Sequence, residues 1–318
     1  MISIVDAGRL RGAVSWEAAV GAVRDALVSV GSGRVVQPPA IELRMPDHGE
    51  LHVKCGHLTG SRWIVVKIAG GGFGAAAPSG CLLVLDASTG QPRWLLDDQG
   101  WLTEQRTAAA GTLASLTFGR HDSRDVLFLG TGGLTRALVE AHQAVAPELR
   151  LTVWGRNRQR ADLLADALGI AVATDLQAAV TTTDILVTAT SSRSPLIDAD
   201  WVQPGTHITA LGADTIGKQE LPVALLDRAV LLVCDDLATA RQAGELQHAP
   251  DTTKDRAVAW PDLAAAHRLA RATEAITIAD LCGIGAEDAA ISALFIETQT
   301  IETPDRVPPE RGFQDHHR

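Results

Sequence analysis

The chain is short of positive charge. Its 28 Lys and Arg stand against 38 Asp and Glu, a formal net charge of -10. That balance argues against a nucleic-acid surface, although a local basic pocket could still take a phosphate. Clustered cysteine is also missing: Cys55, Cys81, Cys234 and Cys282 lie far apart, with no CxxC and no Cys/His spacing suited to zinc. No metal is expected, and a reducing cytoplasm is the expected compartment. The opening residues, MISIVDAGRLRG, carry no long apolar run, and nowhere is there the roughly 18-residue stretch that a membrane span needs.

What the chain does have is enough apolar sequence to fold well. Hydrophobic residues make up 46% and charged residues 21% of 318 positions, a length that suggests two domains. The spacing of Trp16, Val20, Val23, Leu27 and Val30 predicts a helix capped by Ser15 and stopped by Gly31 and Gly33. Short runs at Ile41 to Met45, Leu51 to Lys54, Trp63 to Ile68 and Leu82 to Asp86 read as an antiparallel sheet. Between them, Gly70 to Gly80 reads as a loop near a ligand, and Ala87 to Pro92 as a hairpin turn. Thr103 is the expected cap of a second helix. Arg106, in that helix's first turn, opposes the helix dipole and so needs an anion, either a ligand or a neighbouring Asp or Glu.

The chain is organised around DVLFLGTGGLT, Asp125 to Thr135. An apolar run enters a glycine turn (Gly130, Thr131, Gly132, Gly133, Leu134) and leaves into a helix-forming segment, the order that a dinucleotide site requires. Gly130 would allow the tight turn, and Gly132 would let a pyrophosphate reach the helix start. Thr135 departs from the fingerprint, which asks for Gly or Ala. Strand-like runs at Leu151 to Gly155, Asp184 to Thr190, His207 to Ala213 and Val230 to Cys234 then alternate with helical ones. This pattern predicts a parallel sheet covered on both faces, a Rossmann-type domain. Further helices are expected at Pro261 to Arg271 and Gly285 to Glu297, and a flexible tail over 303–318.

At the end of the second Rossmann strand, an acid would hold the ribose of NAD, whereas an arginine would hold the 2'-phosphate of NADP. WGRNRQR has no acid. Gly155, Arg156, Asn157 and Arg158 offer a guanidinium fork instead, which favours NADP(H) and leaves NAD(H) open.

EQRTAA (104–109), GTGG (130–133), VTATSSRSPLI (187–197), PGTHITALGADTIGKQEL (204–221) and CDDLATARQAGEL (234–246) together resemble the ornithine cyclodeaminase and mu-crystallin family. The resemblance implies an α/β protein whose Rossmann domain, 120–285, is joined to a discontinuous α+β substrate-binding and dimerisation domain, 1–119 and 286–302. It implies a homodimer and an oxidoreductase acting on a small imine, amine or amino acid, with cyclodeamination or a non-catalytic NADPH-binding role as alternatives. It assigns Lys67 and Arg106 to a substrate carboxylate, with Lys67 also near the reacting centre, and Asp214 to proton transfer. Thr188, Ala189, Thr190, Gly212 and Ala213 join the glycine turn as expected cofactor contacts. Where the family commonly carries another carboxylate-binding arginine this chain has Ala40, so either Arg44 or Lys54 replaces it or the substrate is not a simple α-amino acid.

Overall fold

The computed structural model describes residues 2–45, 49–73, 79–266 and 274–301. A short strand, β1 (Ser3–Asp6), and a one-turn helix, α1 (Ala7–Leu10), precede the first expected helix and had no periodic signature of their own. That helix, α2 (Trp16–Gly31), is capped as its sequence predicts: the Ser15 hydroxyl accepts the Ala18 N–H, and Val20, Val23 and Leu27 are buried along one stripe.

Six strands follow: β2 (Val35–Val36), β3 (Ile41–Arg44), β4 (Glu50–Leu58), β5 (Trp63–Gly71), β6 (Ser79–Asp86) and β7 (Pro92–Asp97). They pair antiparallel in the order β7-β6-β5-β4-β2, with β3 also on β4 and β1 added parallel beyond β7. The glycine-rich stretch is more ordered than its composition suggests, since Gly70 pairs with Ser79 and Ala69 with Gly80. Ladder hydrogen bonds need no side chain, so pairing overrides the poor strand propensity of glycine here. Residues 74–78 of the expected loop lie outside the described residues. Alternation along β5 buries Trp63, Val65 and Lys67 on one face and leaves Ile68 exposed on the other.

Helix α3 (Trp101–Phe118) begins before Thr103, which corrects the expected cap. Gly100, at φ 87°, makes the entry turn, and the Asp98 carboxylate accepts the Leu102 N–H at 2.9 Å, so a residue further back satisfies the first-turn donors. Small residues from Ala108 to Ser115 are buried almost all round, and α3 accordingly touches elements of both halves of the molecule.

The second half alternates as expected: β8 (Asp125–Leu129), α4 (Gly133–Val145), β9 (Arg150–Trp154), α5 (Arg158–Leu168), β10 (Ala171–Val172), α6 (Leu176–Thr182), β11 (Ile185–Thr188) and β12 (His207–Ala210). After these come α7 (Val223–Arg228), β13 (Leu231–Cys234), α8 (Leu237–Ala243), α9 (Asp251–Lys254), β14 (Val258–Ala259), α10 (Trp260–Ala266) and β15 (Thr277–Asp280). Every pairing in this sheet is parallel, in the order β10-β9-β8-β11-β12-β15-β13-β14. The strand order reverses between β8 and β11, which opens a crevice at their carboxyl ends. Of the helix expected over Pro261 to Arg271, residues 267–271 lie outside the described residues, as does the expected tail over 303–318.

Helix α11 (Gly285–Ile301) then crosses back to the first sheet and packs on β4, β5 and α2. Its start abuts β4 so closely that a Cβ on Gly56 would strike the Gly285 carbonyl. This return brings acids from the end of the chain beside cations from its beginning. Among the described residues, no helix is long and apolar enough to cross a membrane.

Candidate active site

The glycine turn stands at the crevice with a geometry suited to an anion. Gly130 adopts φ 136°, and a Cβ there would lie 2.7 Å from both the Ala189 carbonyl and the Thr135 hydroxyl, so only glycine fits. Thr135, the departure from the fingerprint, is thus buried under the turn, and its hydroxyl has no hydrogen bond among the described residues. At Gly132, the residue before α4, no atom stands within 4 Å of where a Cβ would be. A cavity of about 290 Å³ adjoins it, lined by Thr131, Gly132, Gly133, Arg136 and Arg160 with no carboxylate. Cationic walls, open space and a helix start suit a diphosphate.

The expected arginines are arranged unevenly. Asn157 caps α5 through its Oδ1, which accepts the Arg160 N–H at 3.0 Å, and Arg158 Nε is held by Asp162 at 2.7 Å. Arg156 is exposed just past β9. Arg136 and Arg160 were not singled out by the sequence; Arg160 stood in the same basic run and Arg136 one turn into the following helix.

Beneath the crevice, one buried carboxylate ties two strand ends together. Glu220 accepts the Thr188 hydroxyl at 2.6 Å, the Thr190 N–H at 2.6 Å and hydroxyl at 2.7 Å, and the Gly212 N–H at 2.8 Å. Thr188, one of the expected cofactor contacts, is fully buried, and its hydroxyl donates to Glu220. Ala189 continues the ladder from Leu129, and Ala213 is likewise buried. Glu220's own N–H is taken by Glu245, whose carboxyl burial pushes up to about 9; Asp280, also buried, is pushed up to about 7.

The two cations expected to clamp a carboxylate come together, and they already hold one. Asp288, in the first turn of α11, sits 2.9 Å from Lys67 Nζ and 3.0 Å from Arg106 Nε, while Glu287 accepts from Arg106 Nη1 at 3.2 Å. The neighbouring acids that the position of Arg106 called for are therefore on the returning helix. Gly283, at φ 79°, completes the packing, because a Cβ there would overlap the Arg106 guanidinium. Burial, reinforced by the Arg106 and Lys54 charges, outweighs Asp288 and lowers the Lys67 ammonium to about 7. Burial likewise raises Glu287 to about 7 against the pull of Arg106. Asp288 is pushed up by burial, but Lys67 and Arg106 more than reverse this and hold it below the usual range.

Arg106 Nη2 has no hydrogen bond among the described residues, and Arg106 lines a cavity of about 140 Å³ with Asp214, Leu134, Leu211 and Cys282. Asp214 Oδ1 is met by Lys218 Nζ at 2.5 Å and by the Thr215 hydroxyl at 3.2 Å. Desolvation acts to raise its carboxyl, but Lys218, with Lys54 and His52, holds it below its ordinary value. Of the two candidates to replace the absent arginine, Arg44 is exposed and paired with Glu42 at 2.5 Å. Lys54 stands directly across from Lys67 in the sheet and donates to the Cys282 and Gly283 carbonyls at 3.0 and 2.7 Å. It also lines a separate cavity of about 320 Å³ together with Ala40 and Asp236.

Asp288, Glu287, Glu220 and Glu245 were missed in the sequence. GAED at a helix start was the available sign for the first two, but nothing local says that they face Lys67, some 220 residues earlier. Among the described residues, Glu42, Glu50 and His52 bring metal-ligating atoms within 4.8 Å of one another, but Arg44 already occupies Glu42.

Residues 4–301 match the model of the ornithine cyclodeaminase/mu-crystallin family. A putative dehydrogenase of Rhizobium meliloti is 36% identical over 311 residues, 92% of this chain and 94% of that one. A Delta(1)-pyrroline-2-carboxylate reductase of Paracoccus denitrificans is 37% identical over 179 residues, 54% of this chain and 56% of the relative. Among solved structures, an archaeal alanine dehydrogenase dimer with bound NAD superposes with a TM-score of 0.86 at 26% identity, over 96% of this chain and 99% of that one.

Proposed function

The chain belongs to the ornithine cyclodeaminase/mu-crystallin family, and on that footing we propose that it is an oxidoreductase that reduces the C=N bond of a small imino acid to the amine, using NADPH in preference to NADH. The observation that carries this reading is the shared cavity: Arg106 and Asp214 face one space at the carboxyl end of the parallel sheet, beside the glycine turn and next to Lys67. The substrate's carboxylate is held by Arg106 Nη2, which needs an acceptor, while Asp288 and Glu287 fix the rest of the guanidinium fork. Bound nicotinamide supplies a hydride to the imine carbon.

As the C=N π bond breaks, nitrogen takes a proton, and two groups of the chain are placed to manage it. Asp214 reaches the cavity with Lys218 as its counter-ion, and Lys67, lowered to about 7, exchanges a proton easily near neutrality. A pyrroline-carboxylate reductase among the relatives supports the substrate class. Arg156, with no acid beside it at the end of β9, supports NADPH. The proposed assembly is a homodimer, as in the archaeal alanine dehydrogenase. The proposed substrate-binding and dimerisation domain joins the N-terminal sheet to α11.

The test is oxidation of NADPH, followed by its absorbance, against a panel of cyclic and acyclic imino acids. Turnover of at least one, lost when its carboxylate is esterified, is expected. No turnover of any imine, with none of the reverse reaction from amino acids, would remove the reading.

A further inference from the structure

Glu104, in the first turn of α3, lines the same cavity of about 140 Å³ as Arg106 and Asp214. Its carboxylate lies against Gly133, the first residue of α4, where any Cβ would overlap it. The glycine therefore does more than shape the turn, because it lets an acid approach the phosphate cradle from the cavity side. Among the described residues the carboxylate receives no hydrogen bond. Arg11, the cation whose charge acts on it, is spread over the Trp101 ring 5.5 Å away and makes no ion pair with it among the described residues.

A dinucleotide crossing this crevice lays its adenosine half over the end of β9 and its reacting half over the ends of β11 and β12. The β9 end, Gly155 to Arg158, carries no acid. Glu104 shares its cavity with Leu134, Leu211 and Asp214, so it stands on the reacting side of the turn. A carboxylate with two free oxygens matches a vicinal diol, whose paired hydroxyls donate to it side by side. On the reading of the chain as a nicotinamide-dependent oxidoreductase, we propose that Glu104 accepts the hydroxyls of the nicotinamide-side ribose and so positions the nicotinamide against Arg106 and Asp214. A diphosphate at the same place would be repelled, which makes the neutral diol the fitting partner.

The experiment is calorimetric titration of the whole protein, wild type and Glu104→Ala and Glu104→Gln, with four probes: NADPH, NADH, ADP and adenosine 2',5'-bisphosphate. The last two lack the nicotinamide ribose. Loss of hydrogen bonds to a charged group predicts that Glu104→Ala weakens both dinucleotides about tenfold or more. Both half-cofactors should bind as they do to the wild type, and Glu104→Gln, which keeps one acceptor, should fall between. Equal loss for all four probes would assign Glu104 to the fold of α4 and overturn the proposal. Unchanged dinucleotide binding would also overturn it, as would tighter half-cofactor binding, the mark of a carboxylate that only repels phosphate. Because binding is read without turnover, an inactive wild type that binds NADPH would sink the imine reading and leave this one standing; a wild type that binds no dinucleotide would sink both.

Discussion

Lys67 Nζ lies 2.9 Å from an Asp288 carboxylate oxygen, and neither side chain is more than 3% exposed. The pair joins β5 to the first turn of α11, so a contact between distant parts of the chain fixes a charge at the candidate active site. Arg106 shares the same carboxylate. Lys54 adds its charge to these two cations, and Glu287 and Asp235 join Asp288 in offsetting them.

Asp288→Asn should damage both stability and the titration of Lys67. Removing one member of a buried charged cluster costs about 3–5 kcal/mol, because the remaining charges stay desolvated and unpaired. Urea unfolding should show this as a lower midpoint at unchanged slope. Asp288 is also what holds the Lys67 ammonium up against burial, so the Lys67-linked inflection of kcat/KM should move to lower pH. An unshifted inflection would mean that Lys67 does not titrate there.

Stability should fall as pH rises from about 5 to about 7. Burial raises Asp280 and Glu287 to about 7 and Glu245 to about 9. The native chain therefore holds protons that the unfolded chain has released, and the folded state loses ground with each step up in pH. Lys67 acts oppositely, with its folded value lowered to about 7, so between about 7 and 9 the unfolded chain binds the extra proton and the slope flattens. Melting temperatures across this range test the sign. Glu245→Gln should remove the counterweight to Lys67, so that stability rises with pH above neutrality instead of levelling off, and a wild type that stabilises steadily from pH 5 to 7 would contradict the assignment.

The repeating features of the fold were legible in its sequence. Apolar runs gave the strands around β8, β9, β11 and β12, and Asn157 and Gly169, which cap the Arg158–Leu168 helix, are residue types that mark such ends. β1 was not legible: four residues, three of them exposed, leave no periodicity to read, and their pairing with β7 is decided some 90 residues away. The same limit applies at the site. Motifs pointed to Lys67, Arg106 and Asp214 one by one, but the Asp288 and Glu287 partners and the Glu220 tie depend on contacts that only the folded chain makes.

Cofactor preference should rest on Arg156 more than on Arg158, whose Nε is already held by Asp162. Arg156→Ala should weaken NADPH by about tenfold, the worth of a charge-assisted contact, and leave NADH within about twofold. Arg158→Ala should do less, and Arg160→Ala should weaken both, because Arg160 lines the cavity beside Gly132, the place proposed for the diphosphate, rather than the end of β9. Titration calorimetry separates the three. Equal wild-type affinities for NADPH and NADH would refute the preference itself.

The outer face of the first sheet should be where two copies meet. Ile41, Val53, Ile68 and Cys81 lie in one row across β3, β4, β5 and β6, and Ile41, Leu43 and Ile68 are exposed on it. An apolar row of this kind is the expected core of a homodimer interface. Leu43→Glu with Ile68→Lys should convert a dimer to a monomer by light scattering at micromolar concentration, with the melting temperature lowered as the interface is lost. A wild-type monomer, or a double variant that stays dimeric, would place the interface elsewhere or nowhere.

The chemistry should separate when Asp214 and Lys67 are changed one at a time. Asp214→Asn keeps the shape and the Thr215 contact but can no longer give or take the proton, so NADPH binding should persist while kcat falls by about 100-fold or more. Lys218 would then lose its partner, a partly exposed pair whose loss costs little stability. Lys67→Met removes a group that both neighbours the carboxylate site and titrates near neutrality, so kcat and KM should both suffer, and the inflection near pH 7 should vanish from the profile. Arg106→Lys keeps the charge but loses the fork that reaches from Asp288 to the cavity, and its main effect should fall on KM. If Asp214→Asn turned over imines at the wild-type rate while Lys67→Met was inert, the proton would belong to Lys67 alone, and Asp214 would be reduced to a counter-ion for Lys218.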